Sequence, residues 1–138
     1  MIPVHLRVLN RQTLTGEEPQ ELELVTEAQY AFKNGSHYIL YDESALSGLD
    51  SSKTTLKISP GKVMIKRFGN QESVLQFEVG NRFITQYPTP MGQFRIELTT
   101  QSLSMEIAEG PKGTVAVHYT MMMQSSIESR NEIKIEIF

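Results

Sequence analysis

QELELVTEAQYAFKNGSHYILYD, residues 20–42, decides the fold because polar and apolar side chains alternate along most of it. A period of two is typical of a half-buried β-strand, whereas a helix would scatter the apolar set around its axis. The Asn34-Gly35 pair then predicts a tight hairpin turn of type I′. One parity carries Leu22, Leu24, Thr26, Ala28, Tyr30 and Phe32, and the other carries Glu21, Glu23, Glu27, Gln29 and Lys33.

The same alternation extends to both ends of the chain. Apolar residues occupy every second position in residues 2–8 and again in residues 133–137. Turn signals such as Pro60-Gly61 and Gly80-Asn81 separate the segments, at the 8–12-residue spacing of an all-β sandwich or barrel. About ten strands follow from this spacing, and residues 44–52 form the one stretch with room for a helical turn.

Short turns favour a meander, and a meander that stayed open would expose both terminal strands as edges. We therefore predict one domain over residues 1–138, a closed up-and-down barrel of about 8–10 antiparallel strands with little helix. Residues 132–138 are expected to pair antiparallel with residues 4–8, and a twisted two-sheet sandwich is the alternative. In the loop 88–92, Gly92 is expected to need a positive φ or a close backbone approach.

Composition excludes several classes of protein. The chain has 138 residues, no cysteine, 13 basic and 16 acidic residues, and a formal net charge of -3. Disulfides, thiolate catalysis and cysteine metal sites are excluded, and the charge argues against nucleic-acid binding. The sequence shows neither a signal-peptide pattern nor an apolar run of about 18 residues, so we expect a cytoplasmic protein without a membrane span.

Several short motifs follow one another along the chain: Tyr41-Asp42-Glu43, residues 54–58, Arg67-Phe68-Gly69 and residues 87–94. The most specific is Tyr87-Pro88-Thr89-Pro90-Met91-Gly92. In this order the chain resembles the YwiB-like family of Gram-positive bacteria over nearly its whole length. The resemblance implies a calycin-like barrel, similar in architecture to lipocalins, and brings no established activity. This chain has no tryptophan, so lipocalin-type ligand transport does not follow from the resemblance.

Residues that would support catalysis are scarce. His5, His37 and His118 do not lie at metal-ligand spacing, and no nucleophile elbow or phosphate-binding loop is present. The sequence therefore predicts no catalytic residue, no metal and no cofactor, and favours a protein that is not an enzyme.

Charge is unevenly distributed along the chain. Residues 51–71 hold five basic residues and no acid, whereas residues 12–32 hold five acids and no base. Two interpretations are open. The runs are either solvated strand faces that pair across the sheet, or the basic run is a face that binds an anion or an acidic partner. The residues assigned to the basic face are Lys53, Lys57, Lys62 and Lys66, with Arg67 beside them in sequence.

Strand parity places several polar side chains on the inward face. Arg67 shares its parity with Val63 and Ile65, which predicts either an ion pair with Glu43 at a barrel mouth or an anion site. Met121 and Met123 also point inward, as core filling or as the lining for an apolar ligand. The candidate ligand-binding residues are Arg67, Glu43, Tyr41, Tyr87, Tyr119 and Thr85.

Two functions follow from these patterns. The leading hypothesis is a binding module whose cavity or mouth accepts a small anionic or amphipathic ligand. The alternative is a protein–protein interaction module that docks a macromolecular partner through its charged strand faces and holds no internal ligand.

Overall fold

The structure, a computed structural model, describes residues 1–42, 53–69, 72–89, 91–107 and 111–138. Within these ranges it contains ten strands and no helix, which confirms the predicted all-β class. The helical turn considered for residues 44–52 lies outside the described residues. The strands are β1 (Ile2–Leu14), β2 (Gln20–Lys33), β3 (Ser36–Asp42), β4 (Lys53–Ser59), β5 (Lys62–Phe68), β6 (Ser73–Phe77), β7 (Arg82–Thr89), β8 (Gly92–Ile107), β9 (Gly113–Met123) and β10 (Ile127–Ile137).

The terminal strands pair with each other, as predicted. β1 and β10 are antiparallel from Leu6 opposite Ile137 to Leu14 opposite Ser129. The strand order is β6-β5-β4-β3-β2-β1-β10-β9-β8-β7, a meander joined through its two ends. Alternation on both strands fixes this register, because a slip of one residue would turn every apolar side chain outward.

The barrel is nearly closed, with a seam between β6 and β7. No ladder joins these two strands, and a single parallel bridge links Val79 to Thr100 beside them. β6 has only five residues, so little edge is available for pairing at this point. The seam therefore separates the two edge strands of one continuous ten-stranded sheet.

Tight turns position consecutive strands. Asn34 and Gly35 both have positive φ, 52° and 78°, between the paired residues Lys33 and Ser36. A type I′ turn requires positive φ at both central residues, so the predicted turn is confirmed. At Gly92 the φ is 114°, which confirms the expected positive φ. The other expectation, a close backbone approach, is not met, because a Cβ on Gly92 would have no atom within 4 Å.

Apolar side chains fill one end of the barrel, which we call the packed end. The turns at residues 34–35 and 60–61 lie at this end. Val63, Phe77 and Val117 are fully buried there, each with 0% exposure. Truncating such side chains costs about 2–5 kcal/mol, so this end anchors the fold. The opposite end, which includes the turns at residues 15–19 and 124–126, is the open end.

Deleting residues 132–138 should yield insoluble protein. The deletion removes most of β10, which pairs with β9 on one side and β1 on the other, so two long edges are exposed. Soluble expression and the circular dichroism of the truncated chain measure the outcome. A soluble, fully folded truncation would contradict the role given to the terminal ladder.

The Gly92→Val variant should be less stable than Met91→Ala. A β-branched residue held at this φ costs about 1–3 kcal/mol, whereas Met91 is 85% exposed and its truncation should change stability by about 0.5 kcal/mol or less. Thermal midpoints of the two variants make the comparison. Equal midpoints would show that the φ of Gly92 is not required.

Candidate functional site

The open end of the barrel encloses a cavity of about 510 Å³, which we call the cup. Its size falls within the usual range of small-molecule sites, about 300–1,000 Å³. Aliphatic and thioether groups form part of the wall, and polar groups form the rest. The lining residues are Asn10, Gln12, Gln20, Glu21, Leu22, Ile65, Arg67, Leu75, Tyr87, Tyr119, Met121, Met123, Asn131 and Ile133.

A row of inward polar residues crosses the β3–β6 half of the open end. Cross-strand pairing puts Tyr41 opposite Thr54, Thr54 opposite Arg67, and Arg67 opposite Ser73. Tyr41, Thr54 and Ser73 are buried, and Arg67 is half-buried. Pairing residues share a face of the sheet, so these four side chains form one layer.

A second polar row crosses the other wall, from β8 through β9, β10 and β1 to β2. The ladders align Thr100, Tyr119, Asn131, Gln12 and Gln20 in this order. The terminal ladder joins Asn131 to Gln12 and so completes the row. Both rows lie on the inward face at the open end, and both contribute to the cup.

Arg67, Tyr87 and Tyr119 converge in the cup. Arg67 Nη1 donates a hydrogen bond to Tyr87 Oη at 3.3 Å, which connects β5 to β7 across the seam. Burial raises the pKa of Tyr119 well above its ordinary value; the neighbouring Tyr87 adds to the rise, and the Arg67 guanidinium acts against it. Tyr119 therefore keeps its hydroxyl proton at neutral pH.

Side-chain amides on β1 and β10 face this cluster. Asn131 Nδ2 donates to Ser129 O at 3.3 Å and to Ser129 Oγ at 3.0 Å, while Gln12 Nε2 donates to the same Oγ at a long 3.5 Å. The Oδ1 atom of Asn10 is buried and has no donor among the described residues. Ser129 Oγ thus accepts from amides on both β1 and β10 and joins these two strands at the cup.

The structure brings three of the six predicted ligand-binding residues together, namely Arg67, Tyr87 and Tyr119. Tyr41 belongs to the same polar row as Arg67 but does not line the cup. Thr85 is half-buried on β7 and also lies outside the lining. Glu43 lies outside the described residues, so its pairing with Arg67 stays a prediction.

Sequence reasoning missed the amide residues Asn10, Gln12 and Asn131. The signal was present in their parity: Asn10 and Gln12 continue the inward set of β1, and Asn131 continues that of β10. Met121 and Met123 line the cup.

The four lysines of the basic face lie together on the outer surface of β4 and β5. Lys57 lies over the Tyr38 ring at 5.6 Å, and Lys66 lies over the Phe68 ring at 5.0 Å. In the described part of the chain, none of the four has a carboxylate within 4.0 Å. The acidic strand β2 differs, because Glu21 Oε1 is 4.0 Å from Arg11 Nε on β1.

Histidines contribute to neither the cup nor the basic face. His118 points outward, as its parity indicates, and its Nε2 lies 2.9 Å from Glu132 Oε2. His37 lies at the packed end, 2.6 Å from Tyr30 Oη, and burial lowers its pKa. Over the described ranges, no three metal-ligating side chains are grouped, and no helix is long and apolar enough to cross a membrane.

These features define a class: a small, single-sheet, up-and-down β-barrel with a polar cup at one end. The family described as "Domain of unknown function (DUF1934)" matches residues 6–135, and the chain belongs to this family. The chain is 26% identical over 134 residues to the "Uncharacterized beta-barrel protein YwiB" of Bacillus subtilis (strain 168), covering 96% of this chain and 91% of that protein. The resemblance stated from the sequence is therefore confirmed.

A solved structure shows the same fold. The crystal structure of the ywiB protein from Bacillus subtilis matches with a TM-score of 0.78 and 24% identity, over 97% of this chain and 90% of that one. The match supports the ten-stranded, nearly closed barrel.

Arg67 and Tyr87 should be energetically coupled. A double-mutant cycle with Arg67→Met and Tyr87→Phe, measured by urea unfolding, should give a coupling free energy of about 1 kcal/mol, the usual net contribution of one intramolecular hydrogen bond. Arg67→Met with Tyr38→Phe, on the outer surface, is the control and should be additive. A coupling within error of the control would mean that the bond across the seam does not form.

Proposed function

We propose that this protein is a non-enzymatic binding module whose cup accepts a small anionic or amphipathic molecule. The observation that carries the proposal is the convergence of Arg67, Tyr87 and Tyr119 within a cavity that also has an apolar wall. A calycin-like role and a cytoplasmic location belong to the same proposal, and the absence of cysteine fits a reducing compartment.

The polar cluster is suited to an anion. A guanidinium presents a planar fork of donors that matches a carboxylate or a phosphate, and partial burial strengthens such bonds. The Tyr87 hydroxyl accepts from Arg67, so its own proton is available to a ligand. Tyr119 supplies a second neutral hydroxyl beside it.

The apolar wall is suited to a hydrocarbon group. Met121, Met123 and Leu75 line the cup, and methionine adapts its shape to irregular ligands. Apolar walls with a few convergent polar groups are the usual composition of a ligand pocket.

Acid–base chemistry finds little support in the cup. The Arg67 guanidinium stays charged at all physiological pH values, and Tyr119 stays protonated. Glu21 lies at the rim, where it is exposed and close to Arg11. Binding without turnover is therefore the function that these groups support best.

A pair of adjacent variants tests the proposal. Arg67→Met removes the inward cation, and Lys66→Met removes the neighbouring cation on the outer surface. The parent should bind a fluorescent fatty acid or inorganic phosphate, and Arg67→Met should weaken binding by about tenfold or more, the loss of one charge-assisted hydrogen bond. Lys66→Met should bind as the parent does. Absence of binding by the parent, or equal binding by both variants, would contradict the proposal.

The basic face supports a second candidate, docking of an acidic partner on the outside of the barrel. Its specific observation is the set of four lysines without a nearby carboxylate in the described ranges. Under this alternative the same variants give the reverse result: Lys66→Met weakens anion binding and Arg67→Met does not.

A further inference from the structure

We infer that the basic face binds single-stranded RNA, with phosphates on its lysines and bases on two neighbouring aromatic rings. The inference goes beyond binding in the cup, and it rests on the second candidate, docking on the outside of the barrel, whose partner it assigns to a chemical class. Three features of the outer surface of β3–β6 support it: the spacing of the lysines, the rings beside them and the scarcity of acidic residues.

The four lysines form a single row along the barrel wall. On β4, Thr55 lies between Lys53 and Lys57. Its partner on β5 is Lys66, and Lys62 lies two residues beyond the level of Lys57. The row therefore alternates between two adjacent strands and advances by two residues, about 6.6 Å, at each step. This step is comparable with the distance between successive phosphates of an extended single strand, so a linear polyanion can follow the row.

Aromatic rings lie on both sides of this row. Tyr38 on β3 pairs with Lys57, and Phe68 on β5 pairs with Lys53. The Lys57 ammonium is 5.6 Å from the centre of the Tyr38 ring, and the Lys66 ammonium is 5.0 Å from the centre of the Phe68 ring. A base that stacks on either ring thus brings its phosphate next to a cation, which is how sequence-tolerant single-strand sites are built. An acidic peptide would use the lysines but offers the rings no base.

The local charge of this face is positive, although the chain has a formal net charge of -3. Net charge averages over the whole surface, whereas a polyanion responds to the charges near its own path. The strands β3–β6 carry a single acid, Asp42, which pairs with Lys53 at one end of the row. Among the described residues no carboxylate lies within 4.0 Å of the four lysines, so their ammonium groups can pair with phosphates.

The polar residue within the row favours RNA over DNA. Thr55 lies on the outer face between Lys53 and Lys57 and is half-buried. Its hydroxyl group can both donate and accept a hydrogen bond, which suits the 2′-hydroxyl group that only RNA carries.

Oligouridylate of about eight nucleotides, titrated into the full chain and followed by fluorescence anisotropy, tests the inference. In the parent, the logarithm of the association constant should fall with the logarithm of salt concentration with a slope of about -2.8, as expected for four phosphate contacts on a single strand. Lys57→Gln and Lys66→Gln should each reduce the magnitude of that slope by about 0.7. Lys134→Gln, which removes a lysine on β10 that lies 3.8 Å from Glu132, is the control and should keep the parent's slope.

Two further comparisons identify the partner. Phe68→Leu should weaken oligouridylate binding about fivefold or more, because a base loses its stacking surface, and should leave the binding of a hexaglutamate peptide unchanged. Oligodeoxyuridylate of the same length should bind the parent about fivefold more weakly than oligouridylate does, the loss of one hydrogen bond.

The outcomes separate this inference from the proposals on which it builds. Unchanged slopes in both lysine variants, unchanged oligouridylate binding by Phe68→Leu, or equal binding of the deoxy strand would overturn it. Tighter binding of hexaglutamate than of oligouridylate would overturn it and leave the second candidate standing, with an acidic protein as the partner. Binding of neither polyanion at low salt overturns both. None of these results bears on the cup, whose binding of a fatty acid is tested separately by Arg67→Met.

Discussion

The ladder between β1 and β10 is the constraint on which the rest of the structure depends. It joins segments as far apart in sequence as Arg7 and Glu136, which are 129 residues apart and also share an ion pair at 3.3 Å. The ladder joins strands β1–β6 to strands β7–β10 in one sheet, which curves around a single interior. It also aligns Gln12 with Asn131, so the second polar row of the cup is continuous only because the terminal strands pair. Contacts this distant in sequence form slowly, because closing the long loop costs chain entropy first.

The two ends of the barrel make different use of the same inward face. Apolar side chains dominate the packed end, where the polar atoms of Tyr30 and His37 are paired with each other at 2.6 Å. The open end instead carries polar side chains in place of part of the apolar packing. Asn10 Oδ1, Thr54 Oγ1 and Thr100 Oγ1 are buried without partners in the described ranges. Asn10 lines the cup, Thr54 pairs with the lining residue Arg67, and Thr100 pairs with the lining residue Tyr119. Unsatisfied groups of this kind are expected where function competes with stability.

Strand parity accounts for what could be predicted from the sequence. It assigned the strands and the inward direction of Arg67, Tyr87 and Tyr119, while the cost of two exposed edges predicted the terminal pairing. Parity gives the face of a side chain and not its height along the barrel, so it could not separate Tyr87, which lines the cup, from Thr85, which does not. Height depends on the registers of all ten strands together. The seam was not predicted, because nothing in the alternation of β6 or β7 marks the absence of a ladder between these two consecutive strands.

Methionine methyl resonances test the central claim, that an organic anion enters the cup and not the basic face. Met121 and Met123 line the cup, while Met64 pairs with Lys57 on the outer surface. In protein labelled with ¹³C at its methionine methyl groups and titrated with the fatty acid octanoate, the resonances of Met121 and Met123 should shift and that of Met64 should stay fixed. Shifts confined to Met64, or no shift at Met121 and Met123 at saturating probe, would contradict the account.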